Sequence, residues 1–93
     1  MKITFGSYVA EFVGTFFFLL SILASAGSPL VIGAVLALVV FLIAGLSGGH
    51  VNPAVSFMTY LNGGMRPSEM LGYVVSQLAG GAAALYAFKA ARM

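Results

Sequence analysis

Charged residues are scarce in this chain of 93 amino acids, where they make up 6% of the total against about 25% in a typical water-soluble domain. Hydrophobic residues make up 61%. No charge occurs between residues 12 and 65 or between residues 70 and 88. Because one membrane crossing needs about 20 apolar residues, the first interval holds two crossings and the second holds one. The composition therefore predicts an integral, multi-pass membrane protein whose surroundings are the lipid bilayer.

Cysteine is absent, which excludes disulfides, thiolate metal sites and a cysteine nucleophile. A lone histidine makes a poor metal site, and no nucleophile or acid–base pair is visible, so we expect no metal, no cofactor and no enzymatic activity. A net charge of +2 without a basic cluster predicts no nucleic-acid partner. Lys2 before an apolar run imitates a secretory signal, but Glu11 interrupts that run, and we expect the N-terminus to be retained.

Three stretches, at about 7–26, 30–46 and 68–88, are predicted to be membrane-spanning helices. Small residues recur in each span and predict faces where helix backbones approach closely. These residues are Gly14 in the first span, Gly33, Ala37, Ala44 and Gly45 in the second, and Gly72, Gly80 and Gly81 in the third. Gln77 is the only amide of the third span, and we expect it to form an interhelical hydrogen bond.

The segment at about 47–62 is predicted to enter the membrane and return on the same side. Two glycines disfavour a helix at its start, whereas Asn52 is a favoured N-cap, Pro53 suits the first helical position and Asn62-Gly63 supplies a stop. The helix so framed has about ten residues and a length of ~15 Å, half the thickness of the hydrocarbon core. Its non-helical start is tolerated at that depth only if it lines a cavity or is buried in protein.

A half-helix that begins at Asn52 would direct its positive end and its free N–H groups at the bilayer midplane, where it would repel cations. Asn52 can cap the helix through its side-chain oxygen and still offer its NH₂ group to the pore lumen. The carbonyls of Gly48, Gly49 and His50 would be acceptors before that donor. This arrangement predicts passive conduction of a polar neutral molecule.

The stretch Ser47-Gly48-Gly49-His50-Val51-Asn52-Pro53-Ala54-Val55 resembles the signature of the aquaporin, or major intrinsic protein, family. The stretches at 10–16 (AEFVGTF) and 72–81 (GYVVSQLAGG) are similar to family sequence in the same order, so the resemblance covers nearly the whole chain. It implies an all-α membrane protein with three transmembrane helices and one re-entrant half-helix. It also implies that Asn52 is a pore donor within the half-helix motif Asn52-Pro53-Ala54, that the three carbonyls face the lumen, and that Glu11 braces the re-entrant loop.

The resemblance is to the first half of the family only, so residues 1–93 are expected to form one half-module. The second motif and the arginine after it are missing, and Val55 occupies the matching position. Three crossings would place Lys2 and Arg66 on one side and Lys89 and Arg92 on the other. Because an excess of Lys and Arg normally sets orientation, this balance permits insertion both ways. We therefore expect an antiparallel homo-oligomeric pair, or a separate second-half chain, to complete the pore.

Several alternatives remain at this stage. Glu11 is a brace or, as in a small dual-topology transporter, a proton-coupling carboxylate, because an acid within a membrane is a functional candidate by default. His50 is a packed loop residue or a pH-sensitive gate. Asn52 is a pore donor or only an N-cap. For the whole chain, the alternatives to a channel for water or glycerol are a truncated, non-conducting assembly subunit and a small proton-coupled transporter.

Overall fold

The structure is a computed structural model that describes residues 1–92. Its four helices are α1 (Phe5–Ala24), α2 (Pro29–Ser47), α3 (Pro53–Leu61) and α4 (Pro67–Ala91). No strand occurs among the described residues. By length and composition α1, α2 and α4 can each cross a membrane, whereas α3 has nine residues and is too short. The expected architecture, half of the aquaporin fold, is confirmed.

Local sequence signals set the helix boundaries. The Ser28 side chain accepts a hydrogen bond from the N–H of Val31 at the start of α2. Pro53 and Pro67 occupy the first turns of α3 and α4, where a proline costs no hydrogen bond. The first span begins at residue 5 and ends at residue 24 instead of 7 and 26, and the last span continues to residue 91 instead of 88. Ala26 already has a positive φ of 54°, so the chain has left the helix at that point.

Helix α1 is the centre of the molecule, since it packs against both α2 and α4, and α3 packs against α4. Gly80 makes the closest approach to the backbone of another helix: a Cβ at this position would lie 2.6 Å from the carbonyl oxygen of Phe12. Gly14 similarly admits the side chains of Val39 and Ile43 from α2. Gly72 faces the Tyr8 ring and Gly81 faces Leu19. The four glycines of α1 and α4 that were predicted to be packing positions therefore lie at contacts between segments of this chain.

The small residues of α2 do not form such a contact, and that part of the prediction is wrong for this chain. Gly33 and Gly45 have open space where a Cβ would stand, and Val39 and Ser47 are the buried residues of α2. The reason is that α2 contributes the larger side chains to this contact and α1 contributes the glycine. The branched side chains on α2 enter a gap that Gly14 leaves on α1, so the small residues of α2 lie on the outer surface.

The linker from α2 to α3 turns back through a run of left-handed conformations. Gly48, Gly49 and Val51 have φ values of 88°, 66° and 44°. Glycine adopts such angles readily, whereas valine does so rarely. The turn leaves Asn52 beside Thr15, in the middle of α1, and Gln77, in the middle of α4. The start of α3 therefore lies at about half the height of α1 and α4.

Candidate pore site

Glu11 holds the linker between α2 and α3 in place. Its Oε1 accepts hydrogen bonds from the backbone N–H of Val51 (2.8 Å) and from Nε2 of Gln77 (2.8 Å). Its Oε2 accepts from the backbone N–H of His50 (3.0 Å) and the hydroxyl of Ser47 (2.6 Å). The side chain is fully buried. Bonds between a charged acceptor and buried donors are the strong class of protein hydrogen bond, so this carboxylate ties the linker to α1 and α4.

Gln77 and Ser56 extend this network to His50. The Gln77 Nε2 group donates to Glu11 and to the Ser56 hydroxyl (2.9 Å). These two bonds use both hydrogens of the Gln77 amide. Ser56 Oγ also lies 2.9 Å from Nδ1 of His50. Ser56 donates to Nδ1 when that nitrogen carries no proton and accepts from it when it does, so the Ser56 hydroxyl can pair with either tautomer of His50.

Tyr73 and Ser7 hold the last residues of α2, directly before the linker, and sequence reasoning assigned this role to neither of them. The Tyr73 hydroxyl donates to the carbonyl of Ser47 at 2.6 Å, and the Tyr73 ring is fully buried against His50. The hydroxyl of Ser7 donates to the carbonyl of Leu46 at 2.7 Å. A usable signal existed for Ser7 and Ser56, since each is a polar residue one turn from a residue already singled out, Glu11 or Asn52.

Asn52 lies at the N-terminal end of α3. Its Oδ1 accepts from the backbone N–H of Ala54 at 2.8 Å, and its side chain is exposed. The side-chain NH₂ donates no hydrogen bond to any residue from 1 to 92. Asn52 is therefore an N-cap, and its amide hydrogens also remain available to a molecule beside it. Helix α3 adds the partial positive charge of its N-terminus at the same place.

The linker before Asn52 exposes backbone acceptors. The carbonyls of Gly48, Gly49 and His50 accept no hydrogen bond from the part of the chain that the structure describes. A cavity of about 220 Å³ lies at the outer end of this linker, with Ser47, Gly48, His50 and Thr59 in its wall. Along the chain, free carbonyl acceptors thus precede the free amide donor of Asn52.

The described residues contain no group of acidic, histidine or cysteine side chains that could bind a metal ion. Within residues 1–92, no three His, Cys, Asp or Glu side chains lie close enough together to hold a metal ion. The one ion pair of that range joins Arg66 to Glu69 at 3.2 Å, on the surface at the start of α4. The polar chemistry around Asn52 is therefore that of neutral donors and acceptors around one fully paired carboxylate.

Comparison with known proteins places the chain in a family. The family model described as "Major intrinsic protein" matches residues 2–93. The chain is 32% identical over 90 residues to a protein of Lactiplantibacillus plantarum named "Glycerol uptake facilitator protein-like 6", an alignment that covers 88% of this chain and 42% of that protein. No solved structure gives a significant match.

Two further relatives carry the name "Propanediol uptake facilitator PduF". The protein of Salmonella typhimurium is 39% identical over 84 residues, which are 76% of this chain and 32% of the relative. The protein of Citrobacter freundii is 38% identical over 85 residues, which are 77% of this chain and 32% of the relative. The chain thus spans less than half the length of the curated relatives it matches. On its sequence match and its fold, it belongs to the major intrinsic protein family and corresponds to the N-terminal part of a member.

Proposed function

We propose that this chain is a multi-pass membrane half-module of a passive channel for water or a small neutral polyol such as glycerol. One observation carries the proposal: the free amide of Asn52 stands at half the height of α1 and α4, directly after a run of unpaired backbone carbonyls. In this proposal, Asn52 is the pore donor and the carbonyls of Gly48, Gly49 and His50 are the acceptors.

The order of these groups suits a molecule that carries hydroxyl groups. Such a molecule donates to the carbonyls along the linker and then accepts from Asn52 at the centre, so it exchanges water for protein partners at each step. A cation meets the positive end of α3 instead and gains nothing from the Asn52 donor. Selection of neutral solutes therefore follows from the polarity of the path, without a charged residue in it.

The relatives support a polyol as the permeant. Their names describe uptake of glycerol in one case and of propanediol in the other two. Both solutes are small, neutral and rich in hydroxyl groups. A path of alternating neutral acceptors and donors is compatible with either solute, and equally with water.

A second half completes the lumen in this proposal. Glu11 and Gln77 brace one side of the path, and among the described helices α3 packs against α4 alone, so this chain does not enclose the path. An inverted second copy of the chain, or a separate second-half chain, supplies the opposite wall. The equal numbers of Lys and Arg at the two ends favour the inverted copy, because neither orientation gains from the positive-inside rule.

The alternative of proton coupling through Glu11 has less support. Each of its carboxylate oxygens already accepts two hydrogen bonds from buried donors. Protonation would place an O–H group where donors converge, and it would release the linker that carries Asn52. A carboxylate that must stay ionised to hold its surroundings together is a poor proton carrier.

Solute flux into proteoliposomes tests the proposal. We expect glycerol-driven swelling that does not change when a proton gradient is applied. Asn52→Asp should reduce this flux and raise cation leakage, since it replaces the donor with an anion at the centre of the path. Asn62→Asp is the matched control, because it makes the same chemical change at the opposite end of α3, and it should leave flux nearly unchanged.

Three results would contradict the proposal. Absence of flux from correctly folded protein would favour a non-conducting assembly subunit. Flux that requires a proton gradient would favour the exchanger. Flux and leakage that are the same for Asn52→Asp as for the unmodified chain would remove the assigned role of Asn52.

A further inference from the structure

The cavity at the outer end of the linker brings an imidazole together with two thioethers. Its wall contains the one histidine of the sequence, His50, and two methionines, Met1 and Met65. The position that a Cβ on Gly48 would occupy lies 3.4 Å from Nε2 of His50 and 3.9 Å from Sδ of Met1. A nitrogen and a sulfur from distant parts of the sequence therefore border the same small space.

One nitrogen of the His50 ring is free, and the other helps to hold the ring in place. Nδ1 lies 2.9 Å from the Ser56 hydroxyl, and Nε2 makes no hydrogen bond to any residue from 1 to 92. The ring also packs against Tyr73, with 4.9 Å between the ring centroids. A metal-binding histidine usually donates its second ring N–H to an oxygen that fixes the ring, and Ser56 Oγ can accept that hydrogen. His50 is thus held as a metal ligand through Nε2 would be.

The three donors suit a soft metal ion with a single charge. Thioether sulfur selects Cu(I), and imidazole also binds copper, whereas Mg²⁺ and Ca²⁺ take oxygen ligands. Met65 is only 8% exposed and forms part of the inner wall. Met1 is 73% exposed, and its unbranched side chain has the freedom to close over an ion. Because the thioethers and a neutral imidazole carry no charge, they compensate a monovalent ion better than a divalent one.

The electrostatic surroundings of this cavity favour a cation, in contrast to those at the start of α3. Thr59, Gly64 and Met65 in the wall lie in or after the last turn of α3, where the helix dipole is negative. The Glu11 carboxylate accepts a hydrogen bond from the backbone N–H of His50 at 3.0 Å. A positive charge in the cavity therefore has both a partial and a full negative charge near it.

We propose that this cavity binds Cu(I) through Nε2 of His50 and the thioether sulfurs of Met1 and Met65. A lone histidine is a poor metal site, but the two thioethers beside it supply the soft ligands that it lacks. Gly48, whose carbonyl is the first acceptor of the proposed path, lies in the same wall. A bound ion therefore closes the path at its outer end. This closure rests on the proposed function, whereas the binding of the ion does not.

Nuclear magnetic resonance of the chain in lipid nanodiscs, titrated with Ag(I), tests the site directly. Ag(I) is a soft ion with the charge of Cu(I), and it is stable in air. Because the chain has one histidine, its imidazole nitrogen signals belong to His50. We expect Nε2 to shift at one Ag(I) per chain, together with the methyl signals of Met1 and Met65. The methyl signals of Met58 and Met70, which are absent from the cavity wall, should not shift.

Met65→Leu removes the sulfur and keeps an apolar side chain of similar volume. We expect it to weaken Ag(I) binding by at least about tenfold, since even the loss of a residue that only orients a metal ligand costs that much. Met58→Leu is the matched control, because Met58 is 60% exposed on α3 and lies outside the cavity wall. It should leave Ag(I) affinity unchanged. Cu(I), supplied with a reductant and without oxygen, should displace Ag(I).

Three results would overturn the site. The first is an Nε2 signal of His50 that Ag(I) leaves in place. The second is a Met65→Leu chain that binds Ag(I) as tightly as the Met58→Leu chain. The third is displacement of Ag(I) by Mg²⁺ or Zn²⁺ as readily as by Cu(I), because a site of soft neutral ligands would not permit it.

Swelling of proteoliposomes separates this site from the channel. Saturating Ag(I) should abolish the solute flux of the unmodified chain and of Met58→Leu. The Met65→Leu chain should need at least about tenfold more Ag(I) for the same inhibition. Ag(I) binding by a chain that shows no flux even without the ion would remove the proposed function and leave the site standing. Ag(I) binding that does not change flux would leave the channel standing and overturn the closure.

Discussion

At the scale of single residues, Glu11 shows how a charge becomes acceptable inside a membrane protein. An ionised carboxylate is expensive in hydrocarbon unless its surroundings replace the lost water. Here four donors from three other parts of the chain take that place. Two of the donors are backbone N–H groups of the linker, which has no helix or strand of its own to satisfy them. The carboxylate and the linker therefore stabilise one another.

Glu11→Gln tests this mutual dependence. In this variant the glutamine NH₂ group takes the place of one carboxylate oxygen and faces the donors that this oxygen accepted from. At least one buried N–H or O–H group is therefore left unpaired. We expect the free energy of unfolding to fall by about 1 to 3 kcal/mol. Denaturation in mixed detergent micelles, followed by circular dichroism, measures it. Glu69→Gln is the control, since the Glu69 carboxylate bonds only to Arg66, whose side chain is 78% exposed, and glutamine can still accept from the Arg66 N–H; it should change the free energy of unfolding much less.

An unchanged stability for Glu11→Gln would mean that the carboxylate is not needed to hold the linker. The proton-coupling role of Glu11 would then regain support. The comparison separates the two roles because a brace acts on folding, whereas a proton carrier acts on transport.

At the scale of helices, the missing Cβ of Gly80 brings α4 directly against the backbone of α1. Gly80 lies against the backbone of α1, and a carbonyl oxygen cannot move aside as a flexible side chain can. Close approach of this kind replaces the hydrophobic effect as the source of helix association in lipid. Gly33 on α2 has the opposite environment, since nothing lies near it.

Gly80→Ala and Gly33→Ala should therefore change stability in opposite directions. The first adds a methyl group that forces α1 and α4 apart, and we expect a loss of about 1 to 3 kcal/mol in the free energy of unfolding. The second adds the same methyl group to open space and should stabilise α2 by up to about 1 kcal/mol, the difference in helix propensity. Thermal or detergent-induced unfolding of both variants measures the difference. A loss of similar size in both would show that the outer face of α2 is also a contact surface.

At the scale of the whole molecule, the balance of charge leaves the direction of insertion open. The turn between α1 and α2 and the end of α4 lie on one side, and the loop between α3 and α4 lies on the other with residue 2. Each side carries two Lys or Arg residues. Since orientation follows an excess of these residues on the cytoplasmic side, we predict a mixed population of both orientations in cells.

Single cysteines make this prediction measurable, because the chain has none of its own. Asn62→Cys and Ala90→Cys place an exposed thiol on opposite sides. A thiol reagent that does not cross the membrane should label a substantial share of each variant in intact cells. Complete labelling of one variant and none of the other would establish a single orientation and would exclude the antiparallel homodimer in cells.

Much of the fold could be predicted from the sequence because the responsible forces are local. The three spans follow from long intervals without charge, and the short α3 follows from Asn52-Pro53 at one end and Asn62-Gly63 at the other. Capping groups act within one turn of helix, and the apolar length needed for a crossing is set by the bilayer. The outer limits of α1 were displaced by two residues because the end of a helix depends on a few weak bonds.

The sequence by itself determined the class of protein, the order of its segments and the position of the half-helix, since each depends on neighbouring residues. Only the tertiary structure decided which polar groups meet. Gln77 reaches Glu11 across 66 positions, Tyr73 reaches Ser47, and Thr15 is left without a partner beside Asn52. These contacts depend on how α1 rotates against α2 and α4, and that rotation follows from the interlocking of side chains at glycine gaps. No periodicity along a single helix contains this information, because the direction of a helix face has meaning only relative to its neighbours.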